Sequence, residues 1–65
     1  MNDREKLKSL LHHWREHNDE HAEGYDGWAS KMSSYGNEEL SRILQVLAQE
    51  TRKLNEIIEK AIKIA

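Results

Sequence analysis

Apolar and aromatic residues in the first half of the chain recur at alternating spacings of four and three. This spacing is typical of an α-helix that buries one face along its whole length. Asn2, with Glu5 three residues later, resembles a capping box with Asn in place of Ser or Thr. The pattern predicts a helix over about residues 3–34. Its stripe consists of Leu7, Leu11, Trp14, Asn18, His21, Tyr25, Trp28 and Met32.

A second stripe of the same kind follows a short connection at about residues 35–37 and predicts a helix over about 38–64. Gly36 suits a left-handed helix end, and Asn37 can cap the next helix. So short a connection makes the helices antiparallel, so we predict an all-α, antiparallel two-helix hairpin forming one domain over residues 1–65. The second stripe comprises Leu40, Leu44, Leu47, Thr51, Leu54, Ile58, Ala61 and Ala65, widened by Ile43, Ile57 and Ile62.

Two glycines, Gly24 and Gly27, leave open a break in the first helix and hence a three-helix fold. Each glycine costs roughly 1 kcal/mol in a helix interior. The continuous helix is the favoured interpretation, because Trp28 and Met32 stay in phase with Trp14 across the glycines.

The short length predicts a need for a partner. A chain of 65 residues buries only about 60% of its unfolded surface and usually needs a disulfide, a metal or a second chain. Cysteine is absent, which excludes disulfides and favours a cytoplasmic location. The second helix carries a wide apolar arc that suits more than one neighbour. We therefore expect a homodimer in the form of a four-helix bundle.

The charge pattern and the length of the apolar runs each exclude one class of partner. The 10 basic and 12 acidic residues are interspersed along the chain, so no basic patch for nucleic acid is expected. No apolar run approaches 18 residues, so no membrane span is predicted.

The histidines do not share one environment on the predicted first helix. With about 100° per residue and Trp14 at the centre of the buried face, His21 lies near the centre line and His17 on its shoulder. His13 lies at the edge, and His12 points to water. Together with Asn18, the inner pair forms a polar gap in the stripe. Antiparallel folding predicts that this gap lies opposite the polar interruption of the second stripe, at Glu50 and Thr51.

This constellation suggests a metal site. Two histidines four residues apart on a helix can bind one ion, whereas the outer two of three lie about 12 Å apart. We predict His17 and His21 as ligands, with Glu50 as the third and assistance from His13. Zinc, nickel, copper and cobalt all accept imidazole, and spacing does not choose among these divalent metals.

Two other hypotheses stay open. In the first, the layer of His, Asn and Thr side chains binds no metal and instead sets the helix register or responds to pH. The wide apolar face of the second helix can bind a partner helix. An enzyme is not expected. His17, Glu20 and His21 match an inverted zinc-peptidase pattern, but Glu20 points away from the buried face. The serines cluster near the turn without an acid–His arrangement, at Ser30, Ser33 and Ser34.

The first helix resembles a group of small uncharacterised prokaryotic proteins with an H-x3-HN-x2-H-x3-Y-x2-W-A signature. Gly24 and Gly27 depart from the helix formers natural at those positions. The resemblance implies a helical hairpin with a histidine-centred site and brings no activity with it. The matching residues are His13, His17, Asn18, His21, Tyr25 and Trp28.

Overall fold

The computed structural model describes residues 2–65, which form two helices and no strand. Helix α1 spans Asp3–Ser34 and helix α2 spans Glu38–Ile64. The side chain of Asn2 caps α1 by accepting a hydrogen bond from the Glu5 amide at 2.9 Å. The prediction of two helices is confirmed, since α1 continues through both of its glycines.

The turn between the helices is a Schellman motif. Gly36 has a φ of 86°, in the left-handed region that glycine adopts without steric cost. The amides of Gly36 and Asn37 donate to the carbonyls of Ser33 and Met32, both at 2.9 Å. The Asn37 side chain then accepts from the Leu40 amide at 3.2 Å and caps α2. The reversal makes α1 and α2 antiparallel.

The contact between α1 and α2, here called the seam, is built mainly from small residues. Ala22, Ala29, Ser41 and Ala48 are each at most 2% exposed. Small side chains let two helix backbones come close, and the Ser41 hydroxyl accordingly donates to the Ala29 carbonyl at 2.7 Å. The seam is completed by Leu11 towards the open end.

A polar layer lies in the seam, but not where the sequence pattern predicted it. Asn18 faces Asn55 rather than Thr51, which is one helical turn away. The Asn55 side chain accepts from Asn18 at 3.0 Å and donates to Asp19 at 2.7 Å and to the Arg15 carbonyl at 3.2 Å. Within residues 2–65, every buried side-chain nitrogen or oxygen has a hydrogen-bond partner.

The expectation that Trp14 and His21 occupy the centre of the buried face is wrong for the single chain. Both are exposed, and Trp14 retains 44% of its accessible surface. The reason is the narrow seam: closely spaced helices cover only part of a wide apolar arc, and mainly small residues occupy that part. The hairpin measures 51 × 16 × 10 Å, so it is one helix layer thick. Neither helix contains the apolar sequence that crossing a membrane requires.

Candidate functional site

A largely apolar surface remains uncovered beside the seam. On α1 its residues immediately precede seam residues, as His21 precedes Ala22 and Trp28 precedes Ala29. The same offset holds on α2, where Leu47 precedes the seam residue Ala48. One residue turns a helix by about 100°, and the helices are antiparallel, so both stripes lie on the same side of the hairpin.

We call this surface the apolar face. Its large hydrophobic members are between 37% and 80% exposed, which is unusual for residues at regular helical spacing. The residues on the opposite side, one position after the seam, are polar or charged. The large hydrophobic members of the apolar face are Leu7, Leu10, Trp14, Trp28, Leu40, Ile43, Leu47, Leu54, Ile57 and Ile64.

The polar members of the apolar face lie near its middle. Three histidines and a tyrosine follow one another along α1 at four-residue spacing and form a ladder of rings. The ring centroids are 4.7 Å apart between His13 and His17, and 5.7 Å apart between His17 and His21. His21 stacks on Tyr25 with centroids 6.1 Å apart and planes inclined by 16°. The ladder crosses the face from its outer edge, at His13, to the rim of the seam, at Tyr25.

Glu50 is the polar member of the face on α2. The seam contacts of Asn18 with Asn55 and of Ala29 with Ser41 place it at about the height of His21. Its carboxylate accepts a hydrogen bond from the Lys53 ammonium at 3.2 Å, and both side chains are more than 60% exposed. The pairing is therefore weak and easily exchanged.

The structure brings together only part of the predicted metal site. His17 and His21 are neighbours, as their spacing indicated, and His13 touches His17 on the side away from His21. Glu50 does not join them: among residues 2–65 no three potential ligands lie close enough to hold an ion. One chain thus presents a histidine pair on an open surface, and the metal site remains a prediction.

Sequence reasoning missed Asn55, the most buried polar residue in the layer around Asn18. Its signal was present, since Asn55 continues the four-and-three spacing of Ser41, Ala48 and Thr51. A stripe chosen for its hydrophobic residues does not reveal that spacing, because Ser41, Thr51 and Asn55 are polar. It favoured Leu54, which lies one position earlier on the apolar face.

Comparison with known proteins identifies relatives without an assigned activity. A family model described as "Domain of unknown function (DUF8180)" matches residues 7–65. An archaeal relative from Archaeoglobus fulgidus, described as an uncharacterized protein, is 41% identical over 58 residues, covering 89% of this chain and 92% of its own length. No solved structure matches the chain. The resemblance to small uncharacterised proteins is thereby confirmed, whereas the residue signature stays a prediction.

Proposed function

The chain belongs to the DUF8180 domain family, and we propose that it acts as a non-enzymatic helical module that pairs with a second copy through the apolar face. The observation that carries the proposal is the face itself. Ten large hydrophobic side chains at helical spacing lie exposed on one side of a single helix layer. Two hairpins joined face to face would make a four-helix bundle with these side chains in its core.

The size of the face fits a stable dimer. In the plane of its two helices the hairpin extends 51 by 16 Å, a footprint comparable with the roughly 800 Å² that each partner buries in an interface of standard size. The same surface on both copies gives the self-complementary contact that two-fold symmetry requires.

The serines support a module without catalytic chemistry. Ser33 donates its hydroxyl proton to Glu38 at 2.6 Å, and Ser34 donates to the Lys31 carbonyl at 2.7 Å. Both hydroxyls are engaged in the turn, away from the histidines, so neither forms the Ser–His pair of an activated nucleophile.

The oligomeric state tests the proposal. Sedimentation equilibrium should give twice the chain mass of 7.7 kDa. Leu47→Glu places a charge on the apolar face and should give a monomer, whereas Gln49→Glu, on the charged side, should leave the dimer intact. A wild-type chain that remains monomeric up to millimolar concentration would overturn the proposal.

A second candidate function is binding of a divalent transition metal, namely zinc, nickel, copper or cobalt. It is favoured by the adjacency of His17 and His21 on an accessible surface. Calorimetric titration of metal-free protein with zinc and with nickel tests it. His17→Ala and His21→Ala should each abolish the binding heat, and the control His12→Ala should retain it.

A further inference from the structure

We propose that the metal site is shared between two chains: His17 and His21 of one copy and Glu50 of the partner subunit bind one divalent transition metal ion, twice per dimer. This inference rests on the proposed self-association through the apolar face. In it, α1 of each copy lies on α2 of the other, and the two-fold axis runs parallel to the helices.

Two face-to-face arrangements with two-fold symmetry are geometrically available. An axis parallel to the helices stacks α1 on the partner's α2, whereas an axis across the helices stacks α1 on α1 and α2 on α2. In the second arrangement, full overlap of the faces brings the two Glu50 carboxylates within about one helical turn of each other. Two like charges this close repel each other, so the polar residues favour the first arrangement.

The register of the first arrangement follows from the hairpin itself. Rotation about an axis parallel to the helices leaves every residue at its own height, so heights within one chain also apply across the dimer. The seam contact of Asn18 with Asn55 at 3.0 Å, together with that of Ala29 with Ser41 at 2.7 Å, fixes these heights. His21 then lies opposite the partner's Glu50.

The apolar residues of the face match in the same register. Trp14 lies at about the height of Ile57 in the partner, and Trp28 at about that of Ile43. The stripes thus pair apolar with apolar towards both ends and histidine with carboxylate near the middle. This complementarity selects a second copy as the occupant of the face over an unrelated apolar helix, which would offer Glu50 no histidine across the interface.

Two imidazoles and one carboxylate form a known ligand set for zinc, with a fourth position left for water. The rings of His17 and His21, with centroids 5.7 Å apart, lie on one side of the helix and can turn their nitrogens towards a common point. Within residues 2–65, binding the ion costs Glu50 one exposed ion pair, that with Lys53. Binding would also satisfy polar atoms that the closed dimer otherwise buries.

The shared site explains why a single chain holds no group of three ligands among residues 2–65. The third ligand belongs to the same face but to the other copy. It also assigns His13 a place outside the site, at the edge of the face, where its ring lies beside that of His17.

Mixing two inactive variants tests the shared site directly. Metal-free His21→Ala and Glu50→Gln should each bind zinc more than about tenfold more weakly than wild type. In a mixture of the two, half of the dimers combine one chain of each, and each such dimer regenerates one complete site. Calorimetric titration should then show about a quarter of the wild-type number of ions per chain, where wild type binds one.

The controls separate this inference from the proposal on which it rests. Glu56→Gln, on the charged side of α2, should bind zinc as wild type does. A dimer that binds no zinc overturns the metal site and leaves the self-association standing. Zinc binding without recovery in the mixture overturns the sharing between chains. A monomer at all concentrations, seen by sedimentation, overturns both.

Discussion

Asn18 and Asn55 meet across the hairpin, with the amide nitrogen of Asn18 donating to the side-chain oxygen of Asn55 at 3.0 Å. Asn55 is only 8% exposed and uses both of its polar atoms, because its nitrogen also reaches Asp19 at 2.7 Å. A satisfied amide in an otherwise small and apolar seam admits one alignment of the helices. Sliding by a turn would bury it beside residues that cannot bond to it.

Asn55→Ala should lower the free energy of unfolding by about 1–3 kcal/mol, because it leaves the Asn18 amide without its partner inside the seam. Chemical denaturation followed by circular dichroism measures the change. Glu56→Ala, one residue later and exposed, should change stability by less than about 0.5 kcal/mol. Equal effects of the two substitutions would show that the amide layer contributes nothing specific.

Ala48→Leu should destabilise the hairpin by about 1–3 kcal/mol, because a side chain that is fully buried between closely spaced helices has no room to grow. Thermal unfolding gives the readout, and Gln49→Leu adds the same side chain at the neighbouring exposed position. A stable Ala48→Leu protein would mean that the helices are farther apart than the Ser41–Ala29 hydrogen bond at 2.7 Å implies.

Gly27→Ala should stabilise the protein by about 1 kcal/mol, since an added methyl group meets nothing within 4 Å and alanine favours the helix. Gly36→Ala should have the opposite effect, because its φ of 86° is strained for any residue with a Cβ. The two melting temperatures should move in opposite directions relative to wild type. A fall in both would indicate that α1 is interrupted at Gly27.

The two tryptophans should report association. Trp14 and Trp28 are 44% and 56% exposed in the single hairpin and lie in the proposed interface. Their fluorescence maximum should shift to shorter wavelength as the protein concentration rises, because pairing removes both indoles from water. Leu47→Glu should keep the longer-wavelength emission at every concentration. A wild-type maximum independent of concentration, at the position found for Leu47→Glu, would contradict burial of the indoles.

The helices and their caps could be predicted from the sequence because they depend on local chemistry. Each of these signals acts on the backbone within a few residues of itself. The structure contains the side-chain caps of Asn2 and Asn37 and the left-handed φ of Gly36. The same holds for the adjacency of His17 and His21, which four-residue spacing on one helix enforces.

The face that each helix turns towards the other could not be predicted from hydrophobicity alone. Large residues mark where apolar surface exists, and their spacing predicts Trp14 at the centre of the buried face. Close helix packing instead selects small residues, so Ala22 and Ala48 occupy the seam and the large ones lie beside it. Each helix is therefore rotated about its axis relative to the prediction. As a result His21 lies on the surface, outside the seam and away from Asn55.

A hairpin only 10 Å thick has too little interior to bury its large apolar side chains between its own two helices. Most of the large apolar side chains in residues 2–65 are exposed, so much of the hydrophobic free energy becomes available only when another surface covers them. If that surface is a second copy, the melting temperature ceases to be a constant of the sequence and rises with protein concentration. Dilution would then unfold the chain as a denaturant does, and the amount of protein in a cell would determine the fraction that is folded.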